Sequence, residues 1–269
     1  MKTLNKVDLK KEFEEKGYVV CKNFFSAEEM SKLIEDIKSA KTRNGVSGLN
    51  KGSLTFYSSL FFHNPSIQSF VSQPKIVDFL SQIIGPVFWV RWDQAVAKGS
   101  GSVTFPWHQD NGYSTLDDVH YQLWISLTKM TPENGGLWLV PGSHKQPLPH
   151  KKVDNHMEYD GVPENPVFIE AEVGDVVLFS SFMLHKTTPN ITSDVRWAYV
   201  VEYMSSDHFD PTIEPPYFIV AENGKSQQKF ARFYRASLNP MNQLSYWNLR
   251  LRRTRGKWMK KISKIGFRS

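Results

Sequence analysis

Two histidines and one aspartate are the residues best suited to chemistry in this sequence. His108 and Asp110 stand two positions apart, and His185 closes an apolar run that begins at Phe179. Side chains at i and i+2 of a strand project from the same face, so His108 and Asp110 can reach one point. Two imidazole nitrogens and one carboxylate oxygen form the facial triad of non-haem iron(II) oxygenases. The pattern predicts a mononuclear iron(II) site with these three ligands.

A His-x-Asp triplet is a weak signal by itself, because the chain contains a second one. His208 and Asp210 form it, next to Pro211, and no histidine follows them. We therefore interpret that second pair as solvated loop residues. For His108 and Asp110 the alternative is a local hydrogen bond that satisfies both side chains.

A cation within an apolar segment favours the metal-site interpretation. Arg196 lies in a strand-like run of aromatic and aliphatic residues, eleven residues after His185. A buried cation needs an anionic partner, because desolvation is otherwise too costly. The planar guanidinium holds a carboxylate through two hydrogen bonds, and the C5 carboxylate of 2-oxoglutarate is such a partner. An internal salt bridge, for example to Glu202, is the alternative.

Helical patterns in the N-terminal third predict a helical shell over about residues 1–85. Residues 8–16 indicate a short helix, a strand-like run follows over 18–21, and the apolar spacing over 71–84 is helical. Ser26 and Glu29 form a capping box that opens a further helix to about residue 40.

From about residue 86 onward the pattern changes to short strands. The runs rich in aromatic and β-branched residues are 87–97, 121–128, 136–140, 166–179 (with a turn at 173–175) and 194–204. Such runs, separated by turn residues, predict an antiparallel sandwich or barrel. Residues 145–165 are predicted to be a long polar loop between strands, and loops of that length often bind ligands.

The single cysteine indicates a reducing compartment, and the pattern along the chain indicates one domain. Cys21 is the only cysteine of 269 residues, which excludes intramolecular disulfides and multi-cysteine metal sites. The hydrophobic share of 40% is enough for one sizeable core, and the sequence shows no repeat or low-complexity linker. We expect a single domain over 1–269. The charged N-terminus and the lack of a long apolar run predict a soluble, cytoplasmic protein.

The positive charge is concentrated at the C-terminus. Residues 223–269 hold 13 Lys or Arg and no acidic residue, whereas the first 222 residues hold 20 basic and 27 acidic residues, a net of −7. This distribution argues against nucleic-acid binding by the whole domain. In this basic extension, Trp258, Ile262 and Ile265 have helical spacing, so it could contact an acidic partner or an anionic membrane surface. The alternatives are that it caps the acidic body of its own or a neighbouring subunit, that it has no fixed structure, or that it binds single-stranded nucleic acid.

Several motifs follow one another between about Gly17 and Tyr203. They are, in order, His108-x-Asp110, Asn134-Gly135-Gly136-Leu137, Pro141-Gly142-Ser143-His144, Gly174-Asp175, His185 and Arg196. This ordered set resembles the phytanoyl-CoA dioxygenase family. The resemblance implies a mainly β fold with flanking helices, in which a double-stranded β-helix (jelly-roll) core spans about 86–205.

The resemblance also implies Fe(II), 2-oxoglutarate and O2 as the cofactor and cosubstrates. Its implied metal ligands are His108, Asp110 and His185, with Arg196 as the cosubstrate anchor. Three further residues are carried over from the family. Thr187 would place a hydroxyl near the C5 carboxylate of 2-oxoglutarate, Trp124 would form a wall of the pocket, and Gln94 would supply an amide on the strand before the metal motif. Because Asp110 is present, hydroxylation is favoured over halogenation, for which relatives carry a small residue there.

The function that follows is oxidation, by hydroxylation, of an unactivated C–H bond in a small-molecule metabolite, with release of succinate and CO2. The substrate could be bound to a carrier protein or coenzyme A, for which the basic extension would be a suitable contact. Desaturation, cyclisation or epimerisation by the same chemistry is the alternative. A non-oxidative cupin-type metalloenzyme and a non-catalytic binding protein are rivals from other classes. His144 is expected to organise a turn or to line the cleft. The histidines in polar stretches are expected to lie on the surface: His120, His150 and His156.

Overall fold

The computed structural model describes residues 6–42, 46–49, 53–113, 118–154, 156–208, 210 and 212–232. Within these residues the chain forms four helices: α1 (Lys6–Lys16), α2 (Ala27–Ser39), α3 (Pro65–Val71) and α4 (Pro74–Ile84). The same residues form fifteen strands: β1 (Tyr18–Cys21), β2 (Val46–Leu49), β3 (Leu54–Ser58), β4 (Phe88–Lys98), β5 (Phe105–His108), β6 (Tyr121–Ser126), β7 (Leu137–Leu139), β8 (His150–Val153), β9 (His156–Tyr159), β10 (Val167–Phe168), β11 (Val176–Ser180), β12 (His185–Thr187), β13 (Arg196–Ser205), β14 (Tyr217–Glu222) and β15 (Lys225–Ala231). No helix in the described part of the chain is long and apolar enough to cross a membrane.

The helix boundaries follow local sequence signals. The capping box of α2 is confirmed, since Ser26 Oγ accepts from the Glu29 N–H and the Glu29 carboxylate accepts from the Ser26 N–H. The helix expected over 71–84 begins three residues later than expected, because α3 ends at Val71 and α4 begins at Pro74. Proline suits the first turn of a helix but disfavours helical backbone in the residue before it.

The strands form two antiparallel sheets and a separate hairpin. The larger sheet has the order β1-β11-β6-β13-β4-β14-β15, with β3 also paired to β4 and β2 to β3. The smaller sheet has the order β10-β7-β12-β5, and β8 pairs with β9 in the hairpin. Two opposed antiparallel sheets with helices on one side are the arrangement that the resemblance implies.

Alternation along the larger sheet separates two apolar cores. On β6, Leu123 and Ile125 pack against the helices, whereas Trp124 packs toward the smaller sheet. On β13, Tyr199 faces the helices and Val200 faces the smaller sheet in the same way. Successive strand residues point to opposite faces, so one strand serves both cores. The faces directed at the smaller sheet enclose the functional site.

A buried carboxylate joins the helical layer to the larger sheet. Asp93 on β4 accepts from the backbone N–H groups of Leu60 and Phe61, at 2.8 and 3.1 Å, and from the hydroxyl of Tyr199 at 2.6 Å. Burial raises the pKa of Asp93 to about 7, against the opposing effect of these three donors. The carboxylate therefore fixes the turn before α3 on the sheet.

Three expected segments differ in the structure. The strand-like run predicted over 18–21 is confirmed as β1, but the first 85 residues also supply β2 and β3, because β3 completes the larger sheet on β4. Sheet structure also extends beyond residue 205, since β14 and β15 continue the larger sheet through Ala231. The segment 145–165 is not one polar loop but contains the β8–β9 hairpin. The helical prediction for Trp258, Ile262 and Ile265 lies outside the described residues.

Gly174 occupies a position that should accept no side chain. Its φ is +85°, and a Cβ atom there would lie 2.0 Å from the carbonyl oxygen of Phe25. We expect Gly174→Ala to lower the free energy of unfolding by about 3 kcal/mol or more, from backbone strain plus the clash. Gly101→Ala is the control, because Gly101 has φ +72° but open space, and should cost only about 1 kcal/mol. Urea denaturation measures both, and equal losses would contradict the clash.

Candidate active site

The three predicted ligand residues meet where two strands of the smaller sheet end and begin. His108 is the last residue of β5 and His185 the first of β12, and the two are direct partners across the strands. Asp110 begins a 3-10 turn, Asp110–Tyr113, so the expectation that it shares a strand face with His108 is wrong. The apolar run before His185 also differs from expectation, because β11 stops at Ser180 and a turn precedes β12.

The geometry of the three side chains suits one metal ion. Asp110 Oδ1 lies 3.6 Å from His108 Nε2 and 3.9 Å from His185 Nε2. The three candidate ligand atoms all lie within 4.8 Å of one another, and this is the only such group of at least three found in the described residues. Two imidazoles and one carboxylate on one side of an ion are the donor set of the facial triad.

Backbone carbonyl groups fix the tautomer of both histidines. His108 Nδ1 lies 2.8 Å from the oxygen of Pro106, and His185 Nδ1 lies 2.9 Å from that of Met183. A carbonyl oxygen only accepts, so each neutral ring carries its proton on Nδ1. Each Nε2 lone pair is then free for a metal ion, as in most protein-bound metal sites.

Protonation also favours metal binding. Burial, together with the charge of His108, lowers the pKa of His185 to about 4. Burial by itself would raise the pKa of Asp110, but His185 and His108 hold that pKa well below its usual range. At neutral pH the site therefore offers a neutral imidazole at His185 and an ionised carboxylate, which are the states that bind metal.

The triad opens onto a cavity of about 760 Å³ between the two sheets. The predicted residues Gln94, Trp124, Thr187 and Arg196 all line it together with the triad. This volume is sufficient for a small cosubstrate and a substrate. The structure thus brings together every site residue that the sequence singled out.

Arg196 is a buried cation without an acidic partner among the described residues. Its side chain is 1% exposed, its guanidinium carbon lies 5.4 Å from the centre of the Trp124 ring, and its Nε and Nη1 atoms have no hydrogen-bond acceptor. The alternative of a salt bridge to Glu202 is wrong, because Glu202 pairs with Arg91. Burial lowers the pKa of Arg196 to about 9. The orphaned donors and the cavity fit a carboxylate ligand.

The other predicted cosubstrate contacts have distinct surroundings. Thr187 Oγ1 accepts from Lys98 Nζ at 2.9 Å, while Gln94 Nε2 donates to Ser58 Oγ at 2.7 Å. The Trp124 indole N–H donates to the sulfur of Met130, so its ring is held as a wall of the cavity. Lys98 did not emerge from the sequence, although a lysine at the end of a predicted strand is a recognisable signal.

A charged cluster occupies another part of the cavity wall. Arg91 donates to Glu202 and, at 2.6 Å, to Asp210. His120 lies 3.6 Å from Glu202, and neither of its ring nitrogens has a hydrogen-bond partner among the described residues. Two expectations are therefore wrong: Asp210 is buried rather than solvated, and His120 is 1% exposed rather than on the surface. The triplet beginning at His208 is part of no metal-binding group found in the described residues.

The middle residue of the His-x-Asp motif connects it to the hairpin insert. Gln109 Nε2 donates to the carbonyl oxygens of Phe182 and, at 3.1 Å, Gln146, and its Oε1 accepts from the Leu148 N–H. The Gln109 N–H donates to His150 Nε2 at 2.9 Å. His150 therefore positions the motif, contrary to the expected surface role.

Two further histidines have their own roles. His156 lines the cavity, and its ring centre lies 5.1 Å from that of Phe105, so it is not a plain surface residue. His144 lies in the 3-10 turn Ser143–Lys145, and its Nε2 lies 3.2 Å from the carbonyl oxygen of Glu14.

Comparison with known proteins identifies relatives in sequence and in fold. A probable alpha-ketoglutarate-dependent hypophosphite dioxygenase from Stutzerimonas stutzeri is 26% identical over 226 residues, which cover 73% of this chain and 78% of the relative. The apo structure of the non-haem monooxygenase ThoJ is similar with a TM-score of 0.69 at 19% identity, covering 94% of this chain and 100% of the other. The structure of the epimerase SnoN, in complex with Fe3+, alpha ketoglutarate and nogalamycin RO, is similar with a TM-score of 0.66 at 16% identity, covering 85% of this chain and 97% of the other.

The two similar structures share the fold of this chain. This similarity confirms the predicted jelly-roll core with flanking helices. The profile of the phytanoyl-CoA dioxygenase (PhyH) family matches residues 13–198, more than half of the chain. The predicted family and the predicted enzyme class are confirmed. The chain belongs to the phytanoyl-CoA dioxygenase family.

Proposed function

We propose that this protein is an Fe(II)- and 2-oxoglutarate-dependent dioxygenase that hydroxylates a C–H bond of a small molecule. His108, Asp110 and His185 would hold the iron, and Arg196 would bind the C5 carboxylate of 2-oxoglutarate. The observation that carries this proposal is a metal-ligand triad and a buried, unpaired guanidinium in one cavity. The triad alone would suit several metals, whereas the cation adds the need for an anionic cosubstrate.

The bound iron and cosubstrate supply the oxidation: O2 converts 2-oxoglutarate to succinate and CO2, and one oxygen atom enters the substrate C–H bond. The protein residues position and shield these reactants. Pro106 and Met183 orient the two imidazoles through their carbonyl groups. Trp124 closes one wall beside Arg196, which keeps water from the anchored carboxylate.

The cavity wall also limits the kind of substrate. Arg91, Glu202 and His120 line the same cavity as the triad, so we favour a substrate that carries a polar group. Three further points stay predictions. The substrate could be attached to a carrier protein or to coenzyme A, and the basic extension could contact an acidic partner or an anionic membrane. The third point is a cytoplasmic location. Desaturation, cyclisation and epimerisation remain alternatives for the outcome, because they use the same cofactor and cosubstrate.

Anaerobic reconstitution with Fe(II) and 2-oxoglutarate tests the proposal. The chelate should give a weak visible charge-transfer band in the wild-type protein, and the band should be absent from His185→Ala. Succinate formation on admission of air would then report the oxidation. Fully iron-loaded protein without the band would instead favour a non-oxidative cupin-type metalloenzyme, and protein that binds no metal would favour a non-catalytic binding role.

A further inference from the structure

A β-bulge in β4 directs two successive side chains into the cavity. Trp92 pairs with Glu202 on β13, but the next β13 residue pairs with Val90, so the register skips Arg91. Successive residues of a regular strand point to opposite faces, yet Arg91 and Trp92 both line the cavity. A bulge adds one residue to a strand and re-aims its side chains, often beside an active site. The bulge therefore gives β4 two cavity-facing residues next to Glu202.

Glu202 is the centre of a row of cavity-facing side chains on three strands. Its Cα partners are Trp92 on β4 and Gln122 on β6. Directly opposite residues project from the same face of a sheet, and all three side chains line the cavity that contains the triad. The row places a carboxylate between an indole ring and a carboxamide. An indole face attracts cations, while carboxylate and carboxamide oxygens accept hydrogen bonds from them.

The carboxylates beside this row outnumber the cation that neutralises them. Arg91 donates to Glu202 and, through Nε at 2.6 Å, to Asp210. Among the described residues, no lysine and no other arginine forms a salt bridge with either acid. Asp210 also accepts from the N–H and the hydroxyl of Thr212, at 2.7 and 2.6 Å, which adds no charge. Two buried carboxylates and one guanidinium leave a negative charge unneutralised, and a buried unpaired charge is costly.

His120 adds a ring whose nitrogens have no hydrogen-bond partner in the described part of the chain. It is 1% exposed and lines the same cavity. Its Nε2 lies 3.6 Å from Glu202 Oε2, which is too far for a hydrogen bond. Its backbone is fixed, because the His120 N–H donates to Ser181 Oγ at 3.1 Å. Burial lowers the pKa of His120, against the opposing charge of Glu202, so the neutral ring offers a lone pair.

We propose that Glu202 and His120 bind a protonated amino group of the substrate, with Trp92 and Gln122 beside it. This inference rests on the proposed function and names the class of substrate that its cavity accepts. An ammonium group brings one positive charge and several N–H donors. The Glu202 carboxylate would offset the charge, and the His120 lone pair would accept a second N–H. A carboxylate or phosphate group would instead meet the unneutralised acid.

Three matched probes test the amine site: cyclohexylamine, cyclohexanol and cyclohexanecarboxylate. They differ in one polar group and are small enough for a cavity of about 760 Å³. Each is titrated calorimetrically, anaerobically and near neutral pH, into protein loaded with Fe(II) and 2-oxoglutarate, whose charge-transfer band is recorded first. Cyclohexylamine should bind with a Kd of about 1 mM, at least about tenfold more tightly than cyclohexanol. Cyclohexanecarboxylate should bind most weakly, because its charge repels that of Glu202.

Substitutions locate the binding. Glu202→Gln keeps the size of the side chain and leaves Arg91 paired with Asp210. Its affinity for cyclohexylamine should fall at least about tenfold, and the preference over cyclohexanol should disappear. His120→Phe keeps a ring without nitrogens and should weaken amine binding about threefold or more. Glu172→Gln is the matched control at an exposed acid and should behave as the wild type.

The outcomes separate this inference from the proposed function. A wild type that prefers the alcohol or the carboxylate, or binds no amine up to about 50 mM, would overturn the amine site alone. Equal amine affinity in the wild type and Glu202→Gln would also overturn it, because the amine would then bind elsewhere, for example to the iron. If Glu202→Gln does not fold, unchanged amine affinity in His120→Phe would overturn it equally. Absence of the charge-transfer band would overturn the proposed function and, with it, the role of the amine as a substrate group.

Discussion

Asp110→Ala is expected to abolish 2-oxoglutarate-coupled oxidation and to weaken iron(II) binding by more than about 100-fold. Loss of a residue that merely supports a metal ligand costs 10- to 100-fold, so loss of the ligand itself should exceed that range. Asp110 is the one anionic member of the triad, and the two imidazoles cannot replace its charge. Competition titration with a metal-sensitive chelator measures the affinity, and succinate release measures the reaction.

The second His-x-Asp triplet supplies a matched control. His208 lies 3.1 Å from Asp118 and belongs to no metal-binding group found among the described residues. His208→Ala should therefore retain the iron affinity and the oxidation of the wild type. Equal losses in His208→Ala and Asp110→Ala, with both proteins folded, would show that the metal site is misassigned.

Arg196→Met should affect stability and cosubstrate binding in opposite directions. The substitution removes the fork that binds the C5 carboxylate, so affinity for 2-oxoglutarate should fall by about 100-fold, within the 2–5 kcal/mol typical of a buried charge pair. The same substitution removes an unpaired buried cation, so the ligand-free protein should become more stable by about 1–3 kcal/mol. Methionine keeps the apolar contact with Trp124.

Arg91→Met is the matched comparison, because Arg91 lines the same cavity but is paired with Glu202 and Asp210. Its replacement leaves two carboxylates buried without their cation, which should cost about 3–5 kcal/mol of stability. Denaturant titrations of the ligand-free proteins measure both changes. Destabilisation of comparable size in Arg196→Met would show that Arg196 serves an internal ion pair, and unchanged affinity for 2-oxoglutarate would show that it is not the anchor.

The sequence alone determined the chemistry of this protein more completely than its architecture. Four residues could be singled out because the proposed binding of a metal and a carboxylate restricts residue type, and their ordered spacing made the combination specific: His108, Asp110, His185 and Arg196. The strands from about residue 86 onward were also predictable, since a sheet covered on both faces requires runs of apolar and β-branched residues. The helix from Ser26 followed from local capping, which involves neighbours in the chain alone.

Tertiary structure decided which polar residues became buried. His120, Lys98 and Asp210 lie in polar or mixed segments, and nothing local indicates that strands far along the chain enclose them. His150 and Gln109 join through a contact between residues 41 positions apart, which spacing cannot reveal. Their roles depend on the register of the two sheets and on the return of the hairpin to the metal site. Ligand type is a property of individual side chains, whereas burial and electrostatic pairing arise only when distant strands close around one cavity.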